Sequence, residues 1–198
     1  MILSVGEILL DIYAKENLSS LDMNARIGGA PFNVAANIAS NGGNVSFYGA
    51  IGKDGFGSFL RKEAEAYPFK TLLLDETEYP TTLALVSLRN GERSFSFIRG
   101  ADFHLSSERL NDFSLNKGDT LHIGSLMLSE DEGRTFFKQA SVFAQKKGVY
   151  LSLDINIRPT LFENQKEARY VFEEVFSCVD FLKASEEDIR RVINNILD

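Results

Sequence analysis

From Thr120 onward the chain alternates short apolar runs with amphipathic segments, and this alternation restricts the fold more than any other feature. An apolar run at 120–126 precedes a helical pattern at 130–147. The helix stripe is Phe136, Phe137, Ala140, Phe143 and Ala144, Gly148 is its stop, and Ser129 and Glu132 are spaced as a capping box. A strand at 149–155 follows, then a helix opening at Asn164 with Ala168, Val171, Phe172, Val175 and Phe176 on one face. A strand at 178–183 and a last helix after Ser185 complete the series. Strands separated by helices return in the same direction, so the pattern predicts a parallel sheet covered on both faces.

The first half adds two further patterns. Residues 2–5 and 8–13 are β-rich around Gly6. Pro31–Asn41 reads as a helix that Pro31 opens and Gly42-Gly43 stops, followed by a strand at 44–51, a helix at 56–66 and a strand at 70–74. Thr82–Arg89 and Glu92–Arg99 flank Asn90-Gly91, the strongest short signal for a β-hairpin. Pairing across that turn sets Val86 opposite Phe95 and Ala84 opposite Phe97 on one face, with Ser87 opposite Ser94 and Leu85 opposite Ser96 on the other. The hairpin interrupts the alternation, so it is expected to project from the sheet edge with an apolar face that needs a partner surface.

Size and charge exclude several functions. At 198 residues the chain is long enough for one domain. A net charge of −7 lacks the broad basic footprint of a nucleic-acid binder. No apolar run approaches the roughly 18 residues of a membrane helix, and the opening MILSVGEILLDIY carries Glu7 and Asp11 where a signal peptide has basic residues. A cytoplasmic protein is expected. The single cysteine, Cys178, lies in an apolar run from Val175 to Leu182 and is expected to be a buried, inert thiol.

Ligands of open α/β sheets bind beyond the carboxyl ends of the strands, so polar residues just after predicted strands are the candidates. They are Asp11; Gly28, Gly29 and Asn33 at a loop-to-helix junction; Asp54; Asp154, Asn156 and Arg158; and Lys183 and Ser185. Eight of the 15 glycines lie between Gly28 and Gly57, which marks close backbone approach there. Each candidate also has a plain alternative. Asp11 can be a solvated strand end, Gly28-Gly29 a tight turn, and Asn33 an amide serving loop backbone. Arg158 can be a surface charge and Arg99 a salt bridge at the hairpin end. His104 and His122 have no Cys or His at ligand spacing, so a metal site is not expected from them.

No GxxxxGK[ST], no GxGxxG after the first strand and no GxSxG occurs. What remains is Asp, Asn and Arg around a Gly-Gly turn. Carboxylates and amides read neighbouring hydroxyls, and an Arg beside them suits a phosphate. A polyol that gains a phosphate fits the set.

The run GGAPFNVAANIASNGGNVSFYGAIGKDGFGSFL (28–60) resembles the N-terminal signature of the PfkB, or ribokinase-like, carbohydrate kinases. GEILLD (6–11) resembles the opening of the fructokinase and ketodeoxygluconate-kinase branch. FIRGAD (97–102), DINIRP (154–159) and KASEED (183–188) match further blocks in order. The resemblance implies a ribokinase-like three-layer α/β/α fold with a mostly parallel central sheet and a small projecting β-sheet lid, built from segments of about 12–27 and 81–100 within 1–198. It implies a sugar kinase that uses ATP and Mg²⁺. Asp11, Gly28, Gly29, Asn33, Phe97 and Arg99 would meet the sugar, with Gly28-Gly29 as the hinge. Asn156 and Arg158 would lie near the transferred phosphate, and Lys183, Ser185 and Asp188 on the nucleotide and Mg²⁺ side. The lid would also make a homodimer.

Two departures stand out: Ser185 where many members have Asn, and Asp188 where Glu is commoner. A larger one is that the family's G-A-G-D block, with its general-base Asp and most of the adenine pocket, has no counterpart, since no glycine follows Arg158. The C-terminal part of the fold is therefore expected to be missing. A non-catalytic sugar-binding or dimerising module and a nucleoside-kinase relative are the alternatives. An unpaired strand edge and an uncovered face of Ile189, Val192, Ile193 and Ile196 are expected to follow.

Overall fold

The computed structural model describes residues 1–14, 23–89 and 92–190. Six strands form one wholly parallel sheet in the order β10-β9-β8-β1-β4-β5. They are β1 (Ile2–Val5), β4 (Val45–Gly52), β5 (Leu72–Thr77), β8 (Thr120–Gly124), β9 (Tyr150–Asp154) and β10 (Phe181–Lys183). All eight residues of β4 are buried, as a central parallel strand covered on both faces requires. Helices α1 (Ala30–Ser40) and α2 (Gly55–Ala64) cover one face. There Phe32, Ala35, Ala36 and Ala39 pack with Phe47, Ile51 and Leu60. Helices α3 (Asp131–Lys147) and α4 (Gln165–Phe176) cover the other, where Phe136, Phe137 and Phe172 meet Leu121, Ile123, Leu151 and Leu153. This is the three-layer α/β/α architecture.

The second sheet is small and mixed, in the order β3-β2-β6-β7. β2 (Leu9–Ala14) pairs antiparallel with β3 (Met23–Gly28) and parallel with β6 (Leu83–Arg89), and β6 pairs antiparallel with β7 (Glu92–Ile98). The hairpin register is the expected one: Val86 faces Phe95, Ala84 faces Phe97, Leu85 faces Ser96 and Ser87 faces Ser94. The Asn90-Gly91 turn lies outside the described residues, as do residues 15–22 and the expected positions Val192, Ile193 and Ile196.

Several local expectations are corrected. β5 runs later than 70–74 because its pairing with β4 continues from Gly49↔Leu74 to Gly52↔Thr77. An edge strand tolerates the polar Asp75, Glu76 and Thr77 that made the run look finished. α3 has no capping box. Its Ser129 hydroxyl bonds the Leu126 carbonyl and accepts from Arg99, while Glu132 reaches His104 at 2.5 Å. The strand expected at 178–183 is confined to 181–183, because Cys178 N–H closes a turn on the Val175 carbonyl. That turn leaves Cys178 exposed rather than buried. Phe181 is 64% exposed on β10, whose outer edge pairs with no strand among the described residues.

Asp54 is a helix cap rather than a ligand reader. Its carboxylate accepts from Gly57 N, Thr81 N and the Thr81 hydroxyl, tying the start of α2 to the strand that enters the hairpin. Burial raises its pKa, and hydrogen bonds from Thr81, Gly57 and Phe56 more than offset this, so the net shift is downward. Asp54→Ala is expected to cost about 2 kcal/mol in urea denaturation at neutral pH. Because the folded carboxyl titrates below its unfolded value of 3.8, this contribution is present above that pH and vanishes as pH falls through the folded value. The variant and the parent should therefore converge in acid.

Candidate active site

The site begins at a crossing between the sheets. β1 ends at Val5, the chain bends at Gly6 with φ 142°, and by Leu9 it has entered the second sheet. It returns through Gly28 and Gly29 to α1. Gly29 has φ 113°, and a Cβ there would collide with the backbone carbonyl of Glu7. A Cβ on Gly28 would collide with the Asp11 carboxylate. The two glycines thus let the return strand lie against both the crossing and Asp11. Pro31 sits in the first turn of α1, and its carbonyl accepts from the buried Ser4 hydroxyl at 2.8 Å.

These constraints leave a cavity of about 250 Å³ between the carboxyl edge of the main sheet and the small sheet. Asp11 and Tyr13 line it from β2, Gly29 from the turn before α1, Ala30 and Asn33 from α1, and Phe95 and Phe97 from β7. Ser125 and Leu126 follow β8, and Asn156 and Arg158 follow β9. Of the expected site residues, Asp11, Gly29, Asn33, Phe97, Asn156 and Arg158 meet here. The volume falls slightly below the roughly 300 Å³ at which drug-sized pockets begin, so it suits a small polar molecule. Two larger clefts, of about 680 and 510 Å³, lie elsewhere. The arginines of the first, Arg61 and Arg109, are paired with Glu76 and Asp75. The second opens at the amino ends of β8 and β9, around Gly118 and Tyr150, the wrong end for an α/β ligand site.

Asn33 is exposed at the cavity. Asn156 has φ 32°, a left-handed conformation that Asn adopts more readily than most residues, and this turns the chain sharply after β9. Arg158 stacks its guanidinium over the Phe95 ring at 4.8 Å, which links the main sheet to the hairpin.

Arg99 does not line the cavity. Its guanidinium grips the fully buried Asp102 through two bonds of 3.1 and 2.7 Å and donates to Ser129 at 2.6 Å. The salt-bridge reading of Arg99 therefore holds. Lys183, Ser185 and Asp188 also lie outside the cavity lining. Lys183 bonds Asp154 at 2.5 Å. Ser185 and Asp188 form a reciprocal capping box on α5 (Glu186–Asp188), and the other Asp188 oxygen accepts from Ile157 N at 2.9 Å. Asp188 thereby braces the segment that carries Asn156 and Arg158. No three His, Cys, Asp or Glu side chains come together as a metal site among the described residues.

One residue escaped the sequence reading. Glu7 is buried at 4% exposure on the cavity floor. One carboxyl oxygen accepts from Ala30 N at 3.2 Å, while the other has no hydrogen-bond partner. An acid inside the apolar run VGEILL was the available signal.

An α/β sheet with a polar cavity at its carboxyl edge and a small sheet above it belongs to the α/β proteins whose ligands bind beyond the strand ends. The chain matches the model described as "pfkB family carbohydrate kinase" over residues 1–196, and it belongs to that family. It is 32% identical over 188 residues to a fructokinase of Vibrio alginolyticus, a match covering 93% of this chain and 60% of that protein. Against a fructokinase of Klebsiella pneumoniae it is 33% identical, covering 82% of this chain and 53% of the relative. The crystal structure of a fructokinase from Xylella fastidiosa superposes with a TM-score of 0.88 at 31% identity, covering 99% of this chain and 62% of that one. The same enzyme with bound ATP gives 0.87 at 31% identity, covering 99% and 64%. The chain thus spans little more than half to two thirds of the length of these relatives.

Gly29→Ala tests the crossing. Backbone strain at this φ is worth about 1–3 kcal/mol, and the collision with Glu7 adds to it. A lowered denaturation midpoint is expected, whereas Gly42→Ala, with open space at its Cβ, should show only its own φ strain.

Proposed function

We propose that this chain supplies the sugar-reading part of a fructokinase-type carbohydrate kinase, which transfers the terminal phosphoryl group of ATP to a sugar hydroxyl. The convergence of Asp11, Asn33, Asn156 and Arg158 on one small cavity carries this reading. A carboxylate accepts from hydroxyls, and two amides offer both donors and acceptors, so together they fit a polyol. Phe95 and Phe97 give the small sheet an apolar underside against a sugar ring, and the sheet acts as a lid. Arg158 is the cation placed to meet the phosphate as it transfers. Lys183 lies on the nucleotide side, its side chain 66% exposed beyond Asp154. Gly28 and Gly29 form the hinge between lid and core. Mg²⁺ would arrive held by the nucleotide phosphates, as that ion usually is, rather than by a protein cage. ATP as donor calls for an ATP-containing compartment, of which the cytoplasm is the expected one.

The lid also supports a homodimer. Its outward Ile98 and Met23 are 52% and 49% exposed, and such side chains gain from being covered by a second lid.

The reading gives two outcomes. Asp11→Ala and Asn33→Ala are each expected to weaken fructose binding by calorimetry by about 0.5–1.5 kcal/mol. Affinity equal to the parent in both variants would remove the cavity as the sugar site. In a second assay the 198-residue chain is incubated with ATP, Mg²⁺ and a panel of sugars, and sugar phosphate is measured. The sequence carries no Gly-Ala-Gly-Asp run, so binding without turnover is expected. Sugar phosphate above a protein-free blank would show that the residues present suffice for transfer.

A further inference from the structure

Glu7 is the buried ionisable group that the proposed sugar chemistry leaves unused. It sits where three parts of the site meet: the bend between β1 and β2, the start of α1 and the end of β8. Its bonded oxygen holds Ala30 N–H, the first amide of α1. Its other oxygen lies against Gly124, so closely that a Cβ on that glycine would collide with it. That oxygen is buried without a partner, which an ionised carboxylate tolerates badly and a neutral acid far better.

We propose that Glu7 is a positioning residue: uncharged, it fixes the Gly29–Ala30 entrance of α1, and through it Asn33, against β8 and Asp11 in the arrangement that a bound sugar requires. This rests on the reading of the cavity as a sugar site.

The surroundings support the uncharged form. Burial raises the Glu7 pKa to about 8, chiefly by desolvation, with a further push from Asp102. Its own backbone, Ala30 N–H and Arg99 pull the other way and do not prevail. Arg99 is already engaged by Asp102 in two hydrogen bonds. Asp11 and Arg158 share the cavity with Glu7, while α1 and the end of β8 present only the uncharged Asn33 and Ser125 to it. Loss of the Glu7 proton would therefore put an unbalanced charge beneath the site, and the first turn of α1 would shift to let water reach it.

The test uses the 198-residue chain and D-fructose, with calorimetry from about pH 6 to about pH 9.5. The parent should hold its affinity to about pH 7 and bind about tenfold more weakly at about pH 9, where some nine in ten Glu7 groups have ionised. Glu7→Ala should weaken binding about three- to tenfold at every pH. Glu7→Gln keeps the shape and the bond to Ala30 N–H without a titrating proton, so it should recover that loss and show a flat profile. A parent profile that stays flat to about pH 9.5, or a Gln variant that falls with pH as the parent does, overturns the proposal.

A thermal arm without sugar reads Glu7 alone. The folded value lies above the unfolded 4.5, so parent stability relative to the Gln variant is greatest below about pH 4.5, declines up to about pH 8 and is then level. A difference that does not change with pH overturns the uncharged assignment whatever the sugar arm shows. If neither protein binds fructose at any pH, the sugar reading fails and takes the positioning role with it, while the thermal arm still reports the protonation of Glu7.

Discussion

The structure turns on two crossings where glycine carries the chain between its sheets. β1 is only four residues long, and the chain leaves it at Gly6 with φ 142°. It comes back through Gly29 with φ 113°, seated on the Glu7 carbonyl. Neither bend has room for a side chain: a Cβ on Gly6 would press on Pro31 and Gly124. Because the outgoing and returning crossings pack on each other, the gap between the two sheets is set here. The cavity is the space that gap leaves open, and its residues come from strands and a helix whose ends the crossings fix.

Two buried acids on either side of this junction show opposite solutions to the same cost. Asp102 is fully buried, yet it receives two bonds from Arg99 and one from the Thr82 hydroxyl. Thr82 in turn accepts from Gly100 N at 2.9 Å, which extends the network into the turn after β7. Such a pair is expensive to desolvate and more expensive to break, which suits a strut. Glu7 accepts from Ala30 N and forms no salt bridge among the described residues. Under the proposal made for Glu7, keeping its proton is the less costly arrangement, because the unpartnered oxygen then carries no charge.

The parallel sheet, its two helical coats and the hairpin register were legible because each rests on local periodicity. Val86 against Phe95 follows from counting outward from a turn, and the buried β4 follows from an unbroken apolar run. Asp11, Gly29, Asn33, Phe97, Asn156 and Arg158, which share the cavity, were named from their place near strand ends and from the family blocks, whereas Glu7, Tyr13 and Ser125 were not. What stayed hidden were choices among partners. Arg99 lies in a matching block, but nothing in the sequence says that Asp102 three residues on will capture it. Ser129 and Glu132 have capping-box spacing, yet Arg99 and His104 outbid the helix end for them. Cys178 lies in an apolar run whose middle turns outward because α4 ends there. Pattern gives the elements, and competition between polar groups from distant parts of the chain settles the details.

That competition also explains why one arginine is a strut and the other stands at the cavity. Arg99 follows β7 directly, and its reach is spent on Asp102 and Ser129, fixing the hairpin base to the loop after β8. Arg158 follows β9 by way of the turn at Asn156, and Asp188 anchors the intervening Ile157 N–H at 2.9 Å. The backbone of that segment is therefore held while the guanidinium extends over the Phe95 ring. Resting on an aromatic face rather than against a carboxylate, the guanidinium gives one N–H to the Ile157 carbonyl at 3.3 Å. Since Phe95 belongs to the hairpin, any movement of the small sheet changes what Arg158 rests on. The bonds of Arg99 to Asp102 and Ser129 hold the base of that hairpin.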